Sequence, residues 1–441
     1  MQRKRSAASD FRYETGAAKV GWPAVGEPMQ AEDVLRILEF LVPPPAENQA
    51  EYRRSKAAAV KAVKALCKAG GWASKLTLGK QVVELENAAR EYLGVKHALF
   101  LTNATAGFQI AYQMAGLRPG DEVIVPAITF IATICHLLAS GVKVVLADVD
   151  RRTINLDPAD VARKITPRTR MIVPVHIGGW PVDMAPIMDL ARQHDLVVLE
   201  DAAHAFGATY RGRRAGTIGH FGSYSFHEVK NINAFGEGGL LVTNTPYGAQ
   251  FGKARFVGLD LSMQIPNWLY DVTAIEGMRG LFAAGNHSAT EIQAVGLLSQ
   301  MGRIERILES RRRTAEALNR RFAKVRGLLG TPMDKGRTRG THHLYLLQID
   351  PEMVGANVQD LKRKLTDRGV VQIPHFAPLY KFQVMRQLGY DTEAIQASCP
   401  VAEDVFSNRF THLPIYGLTA AQVKYLGDAV VESVEELRAG R

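Results

Sequence analysis

Hydrophobic positions fall into two alternating rhythms from about Val82 onward. Val83–Leu93 places apolar residues at helical spacing, Gly94 stops the run, and His97-Ala-Leu-Phe-Leu101 follows with the continuous apolar character of a strand. Glu122–Pro126, Val142–Asp148, Arg170–Val175, Leu196–Glu200 and Gly239–Thr243 read as further buried strands, with helical stretches such as Ile187–Gln193 between them. β-branched runs separated by helices predict an α/β fold, a mostly parallel sheet covered on both faces. Ahead of this core, residues 1–50 read as a lead-in. Pro43-Pro-Pro-Ala-Glu47 ends any helix begun at Ala31, and the alanine-rich, basic Arg53–Lys68 stretch predicts a helix. The Arg-rich run Ile304–Phe322 reads as a solvated linker helix. A smaller C-terminal α+β unit follows, with a strand at His343–Ile349 and helices at Val358–Gly369 and Ala420–Leu437. The expected division is a lead-in over 1–50, a large domain over 51–310 and a small domain over 311–441.

Composition changes this picture little. Hydrophobic residues make up 46% and charged residues 22% of the 441, which excludes a disordered or fibrous chain. No apolar run approaches the ~20 residues that cross a bilayer, so no membrane association is expected. Lysine and arginine exceed aspartate and glutamate, 54 to 44, a net charge of +10 that suits anionic ligands. The basic residues form no compact block interleaved with aromatics, which argues against nucleic acid as a partner. Cys67, Cys135 and Cys399 are odd in number and far apart. They argue against a disulfide framework and against a metal site, and fit a reducing compartment. The basic start Met1-Gln-Arg-Lys-Arg-Ser6 has no apolar core behind it. A cytoplasmic enzyme is expected.

In an open parallel sheet, ligands sit beyond the carboxyl ends of the strands. Four clusters occupy such places. Leu101-Thr-Asn-Ala-Thr-Ala-Gly-Phe108 passes from strand to helix through small residues, where backbone N–H groups and Thr105 make either an anion cradle or an ordinary helix cap. Ala127-Ile-Thr-Phe-Ile131 puts Phe130 just past a strand, to stack on a planar ring or to fill the core. Leu199-Glu-Asp-Ala-Ala-His-Ala-Phe-Gly207 ends a strand in an acidic pair, a ligand loop or a cap. Ser223–Asn231 sets Lys230 just before the glycine-rich turn Gly236-Glu-Gly-Gly239, as a desolvated amine or a surface lysine. Jointly, cradle, aromatic, acid and lysine suit a flat, phosphorylated, aldehyde-bearing heterocycle: pyridoxal 5′-phosphate (PLP). Its aldehyde needs a lysine and its protonated pyridine nitrogen a carboxylate.

These residues closely resemble the fold-type I PLP-dependent sugar and aminocyclitol aminotransferases of the DegT/DnrJ/StrS family. The likeness runs from about Gly21 to the C-terminus. It rests on Gly120-Asp-Glu-Val-Ile-Val-Pro126, Glu200-Asp-Ala-Ala-His-Ala-Phe-Gly-Ala208, Ser225-Phe-His-Glu-Val-Lys-Asn231, Gly236-Glu-Gly-Gly239 and His375-Phe-Ala-Pro-Leu379, in that order. The resemblance implies that Lys230 carries the cofactor as a Schiff base, Asp201 holds the pyridine nitrogen, and His204 lies near the ring hydroxyl. It implies that Phe130 stacks on the ring and that Thr105, Ser225 and the Ala104 backbone take the phosphate. Asn286, in Gly285-Asn-His-Ser288, matches an asparagine that reaches the phosphate from the other subunit of a homodimer with shared active sites. The chain departs from the family where Gly-Thr is replaced by Ala104-Thr105, which requires a negative φ at Ala104. It departs again at His287-Ser288, where a Tyr-Arg pair is frequent, and at Tyr380, where histidine is frequent. His287, His375 and Tyr380 are the expected substrate contacts. Gly285-Asn-His with Thr290-Glu-Ile-Gln-Ala294 points to the aminocyclitol branch and Phe226-His-Glu-Val-Lys-Asn231 to the nucleotide-sugar branch.

The expectation is an aminotransferase that moves an amino group from glutamate or glutamine onto a keto sugar, nucleotide-linked or free, or onto a keto-cyclitol, in amino-sugar or antibiotic biosynthesis. A dehydratase of the same fold is the alternative. In the dehydratases that this group resembles, histidine replaces the lysine, so Lys230 favours transamination. A silent sensor of a sugar or of PLP is a third reading, which an intact Lys230, Asp201 and Ser225 disfavour.

Overall fold

The structure, a computed structural model, describes residues 29–440 apart from residue 74 and the segments 261–270 and 372–375. Among these residues, seven strands form the central sheet. They are β1 (His97–Leu101), β2 (Glu122–Pro126), β3 (Lys143–Ala147), β4 (Thr169–Ile172), β5 (Val197–Asp201), β6 (Phe221–Ser225) and β7 (Gly239–Thr243). Their spatial order is β1-β7-β6-β5-β4-β2-β3. The five strands from β6 to β3 run parallel, and β7 runs antiparallel to both of its neighbours. Every residue of β2 and β7 is buried, as a sheet covered on both faces requires. The period of two sorts side chains between the faces. Leu99 and Leu101 join Phe108, Val123, Val125 and Leu241 on one side, and Phe100 joins Tyr224, Leu240 and Val242 on the other. This is a mixed α/β architecture built on a mostly parallel sheet.

The C-terminal unit has its own three-stranded antiparallel sheet, Leu328–Leu329, Tyr345–Ile349 and Phe410–Leu413, packed by the helices Val358–Asp367 and Ala420–Ala439. The helix Ile304–Phe322 is not merely solvated. Ile304, Leu308, Arg311, Ala315, Leu318 and Phe322 form a buried stripe at helical spacing, and the other arginines flank it or face away from it. Its first half packs into the large domain and its second half into the small one, so it locks the two together. The residues after 311 divide their packing as well. Leu379, Tyr380, Met385, Cys399, Ala402 and Val405 belong to the large-domain core beside Val144 and Leu146.

At the N-terminal end, Ala31–Leu41 and Gln49–Ala69 form a helical hairpin tied by Lys56–Glu39 and Lys64–Glu32 ion pairs, and no residue of either helix is buried. Residue 50 lies in the first turn of the second of these helices. Among the described residues no helix is long and apolar enough to cross a membrane.

Candidate active site

The carboxyl ends of β1, β2, β5 and β6 open onto a cavity of about 380 Å³. After β1 the chain enters the helix Ala104–Met114, whose first N–H groups have no intrahelical acceptor. Asn103 caps it, its Oδ1 accepting from Ala106 N at 2.9 Å, and the N–H groups of Ala104 and Thr105 remain for an anion. Ala104 lies in that first turn without a positive φ, so the alanine fits the backbone it occupies. Two glycines bring this helix start against the sheet. A Cβ on Gly239 would run into the backbone N of Ala104, and one on Gly107 into Ser223 Oγ, which instead donates to Ala104 O at 3.1 Å. Thr105 and Ser225 line this end of the cavity. Phe130, just past β2, is 62% exposed and stands on the cavity wall rather than in the core.

At the end of β5, successive side chains take opposite directions. Glu200 is fully buried and accepts N–H groups from Gly216 at 2.8 Å, Ile218 at 2.5 Å and Gly219 at 2.6 Å. It also meets His176 Nε2 at 3.0 Å. His176 Nδ1 accepts from Val182 N, so the Nε2 proton points at Glu200. Glu200 is thus committed to holding the loop 216–219. Asp201 faces the cavity, 4% exposed, with Thr133 Oγ1 donating to its Oδ2 at 2.8 Å and Ala203 N to its Oδ1 at 3.1 Å. Burial raises its carboxyl above the ordinary value, and the two donors and Lys230 pull the other way. A carboxylate desolvated in this way suits a cationic partner.

Lys230 lines the same cavity. Burial lowers its ammonium to about 8, and the Asp201 charge opposes that shift. His204 Nδ1 accepts from Gly178 N at 3.2 Å. Its ring lies 4.4 Å from that of His343. The sequence reading did not single out Thr133, Asn231 or His343. Thr133 sits four residues after Thr129 on the helix that follows β2, and its hydroxyl also meets Thr129 Oγ1 at 3.0 Å. That spacing is a signal a reader of the sequence could have used. His343 comes from far along the chain, just ahead of the small-domain strand, and nothing local marks it.

The cavity therefore brings together Ala104, Thr105, Phe130, Asp201, His204, Ser225 and Lys230. Three other expected residues lie elsewhere. Asn286 is exposed, bridged to Phe256, and its Oδ1 accepts from Ser288 N at 3.1 Å. His287 is tied by its backbone to Thr102 and Arg255, away from its own chain's cavity. Tyr380 is 2% exposed in the large-domain core, and its hydroxyl donates to Glu403 Oε2 at 2.8 Å. His375 lies outside the described residues.

The donor set fits PLP: a buried anion for a pyridinium, a desolvated amine for an aldehyde, and open N–H groups with two hydroxyls for a phosphate. Fold and cavity together define a PLP-dependent aminotransferase. The particular lineage comes from comparison. The DegT/DnrJ/EryC1/StrS aminotransferase family matches over residues 54–431, and the chain belongs to it. GDP-perosamine synthase of Caulobacter vibrioides is 34% identical over 362 residues, 82% of this chain and 91% of its own. The PLP form of a putative sugar aminotransferase, Spr1654 from Streptococcus pneumoniae, superposes with a TM-score of 0.72 at 26% identity, covering 83% of this chain and 94% of its own. Helicobacter pylori PseC, an aminotransferase involved in the biosynthesis of pseudoaminic acid, gives a TM-score of 0.72 at 27% identity over 82% of this chain and 94% of its own.

Proposed function

We propose that the chain transfers an amino group from glutamate or glutamine to the ketone of a sugar, nucleotide-linked or free, or of a cyclitol. The observation that carries this reading is the pair Lys230 and Asp201, a desolvated amine and a buried carboxylate lining one cavity. The names of its relatives support a sugar as acceptor. When bound, PLP supplies the electron sink that makes the α-proton of an amino acid removable. The chain's own residues do the rest. Asp201, oriented by Thr133 and the Ala203 N–H, keeps a proton on the ring nitrogen. The first turn of the helix Ala104–Met114, with Thr105 and Ser225, anchors the phosphate, and Phe130 closes one face of the ring. His204 stands beside the ring hydroxyl. Lys230 would hold the cofactor aldehyde and, once free, would serve as the base for the proton on the donor α-carbon and for its return on the acceptor side.

The same proposal includes a homodimer. Asn286 is exposed and off its own cavity, while Phe130 and Val229 at the cavity, and Phe235, Ile292 and Val295 in a separate groove, are exposed apolar side chains. A second copy would cover these residues and bring its Asn286 to the phosphate.

The test begins with the PLP form and either amino donor. Glutamate or glutamine is expected to bleach the visible cofactor band. The resulting amino form is then offered a panel of keto sugars, nucleotide-linked keto sugars and keto-cyclitols, with mass spectrometry of the products. No bleaching by either donor, or bleaching with no aminated product from any class, would overturn the reading.

A further inference from the structure

The segment 341–344 enters the small domain, yet its contacts are to the loops around the cofactor cavity. Thr341 N donates to Gly179 O at 3.0 Å and Leu344 N to Gly178 O at 3.2 Å. Both glycines have positive φ, 61° at Gly178 and 86° at Gly179, and a Cβ on Gly179 would collide with Thr341 Oγ1. Thr341 Oγ1 donates to His204 O at 2.6 Å. The loops carrying Gly178, His204 and Lys230 are all gripped by these four residues.

His343 is the centre of that grip. Only 4% exposed, it stands in the cavity wall with its ring tilted 34° against that of His204. Its Nδ1 lies 3.1 Å from Oδ1 of Asn231, the residue after Lys230. An amide oxygen only accepts, so Nδ1 carries the hydrogen in this pairing. The groups facing the ring are His204 and Lys230 on the cavity side, and Arg311 and His412 from the helix and strand behind it. With burial, they hold His343 well below the usual histidine range, so it is a neutral imidazole.

We propose that His343 is a positioning residue for the lysine that carries the cofactor: its Nδ1–H fixes Asn231 and its ring braces His204, which sets Lys230 and ties the cavity to the register of the strand Tyr345–Ile349. The inference rests on Lys230 being that lysine. It assigns a function to a residue that need not touch the reacting atoms. Through His343 the C-terminal segment adds a hydrogen bond to Asn231 and a ring contact to His204, beside the bonds that Thr341 and Leu344 make to the same loops.

The experiment reads the pH at which the visible band of the bound cofactor changes, in the holoenzyme and in His343→Ala, His343→Phe, His343→Asn, Asn231→Ala and the double variant with Ala at both positions. His343→Ala, His343→Phe and Asn231→Ala are expected to move that midpoint by about half a pH unit or more, the scale on which a lost hydrogen bond displaces a titration. The double variant moves no further than the singles, because both act through one bond. His343→Asn, whose Nδ2 takes the place of the ring Nδ1, restores most of the wild-type midpoint. Midpoints unchanged in the Ala and Phe variants, additive shifts in the double variant, or no recovery with Asn would each overturn the proposal. Thermal melts identify a variant that fails to fold. If His343→Ala is one, the comparison of Asn231→Ala with His343→Asn decides. Borohydride reduction of the wild type followed by peptide mapping separates the two assumptions. Label on a residue other than Lys230 overturns the lysine assignment itself, whereas label on Lys230 with an unmoved midpoint overturns only the role of His343.

Discussion

Lys230 and Asp201 constrain each other, and their coupling gives the sharpest residue-level expectations. Burial brings the lysine ammonium down to about 8. Below that pH the amine lacks a free lone pair, so PLP capture by the cofactor-free chain is expected to accelerate as pH rises and to level off above about 8. Stopped-flow absorbance measures it. The Asp201 charge raises the lysine, so Asp201→Asn moves the midpoint of that profile downward. The same variant should keep the fold and lose about 10²–10³ in turnover, the usual effect of deleting one preorganised electrostatic partner. Near-normal turnover would reduce Asp201 to a loop cap. Borohydride should fix the cofactor on Lys230, and Lys230→Ala should bind PLP without turning over. Thr133→Val removes one of two donors to Asp201. A lost bond to a charged group costs about 1.5–3 kcal/mol. The variant should therefore weaken PLP binding by roughly tenfold or more, which equilibrium titration of the cofactor-free chain would detect.

At the scale of elements, the helix Lys80–Leu93 has no cap of its own. Glu291, from far along the chain, accepts from Gly79 N and Gln81 N at 2.8 Å and from Val82 N at 3.4 Å. A carboxylate on a helix N-terminus combines hydrogen bonding with the dipole. Glu291→Ala should destabilise by about 1–2 kcal/mol, seen as a lower melting temperature with an unchanged cofactor spectrum. No reading of residues 79–93 would find that cap, because its partner is set by tertiary structure. The same limit explains other differences. Four strands of the sheet's parallel half and their acidic and small-residue ends were legible, because buried parallel strands are continuous apolar runs. β6, Phe221–Ser225, was not: its middle residues are Gly222 and Ser223, required because Gly216 and the helix start crowd it. Asp201, Thr105 and Phe130 could be found because each lies at or just past the end of a recognisable strand, and Lys230 because it precedes a glycine-rich turn. His343 was read as part of a strand that begins two residues later, at Tyr345. The helix Ile304–Phe322 misled through its arginines. Its six buried positions keep strict helical spacing, but charge dominates the composition.

For the molecule as a whole, a dimer with shared sites makes a complementation test decisive. Lys230→Ala and Asn286→Ala subunits, each poorly active alone, are mixed under conditions that allow exchange. If Asn286 serves the partner's cavity, one site of the mixed dimer carries both defects and the other neither, and activity returns in part. If it serves its own chain, every site keeps a defect and mixing recovers nothing. Sedimentation showing a monomer at working concentration would defeat the proposal outright.

The sheet order also sets a schedule for synthesis. β1 has one neighbour in the sheet, β7, and β7 leaves the ribosome only after β2 to β6 have been made. At about 5–20 residues per second, the wait between Leu101 and Gly239 lasts on the order of ten seconds. During it, His97–Leu101 is an apolar strand with nothing to pair with, although β2 and β3 can already join. The cavity shares the delay, since its phosphate-binding end hangs from β1 and its lysine lies between β6 and β7. Nascent chains halted before Gly239 should therefore show protease-sensitive bonds around residues 97–115 and no capacity to capture PLP. Chains extended past Thr243 should protect that segment, which makes the antiparallel strand the step that closes the large domain.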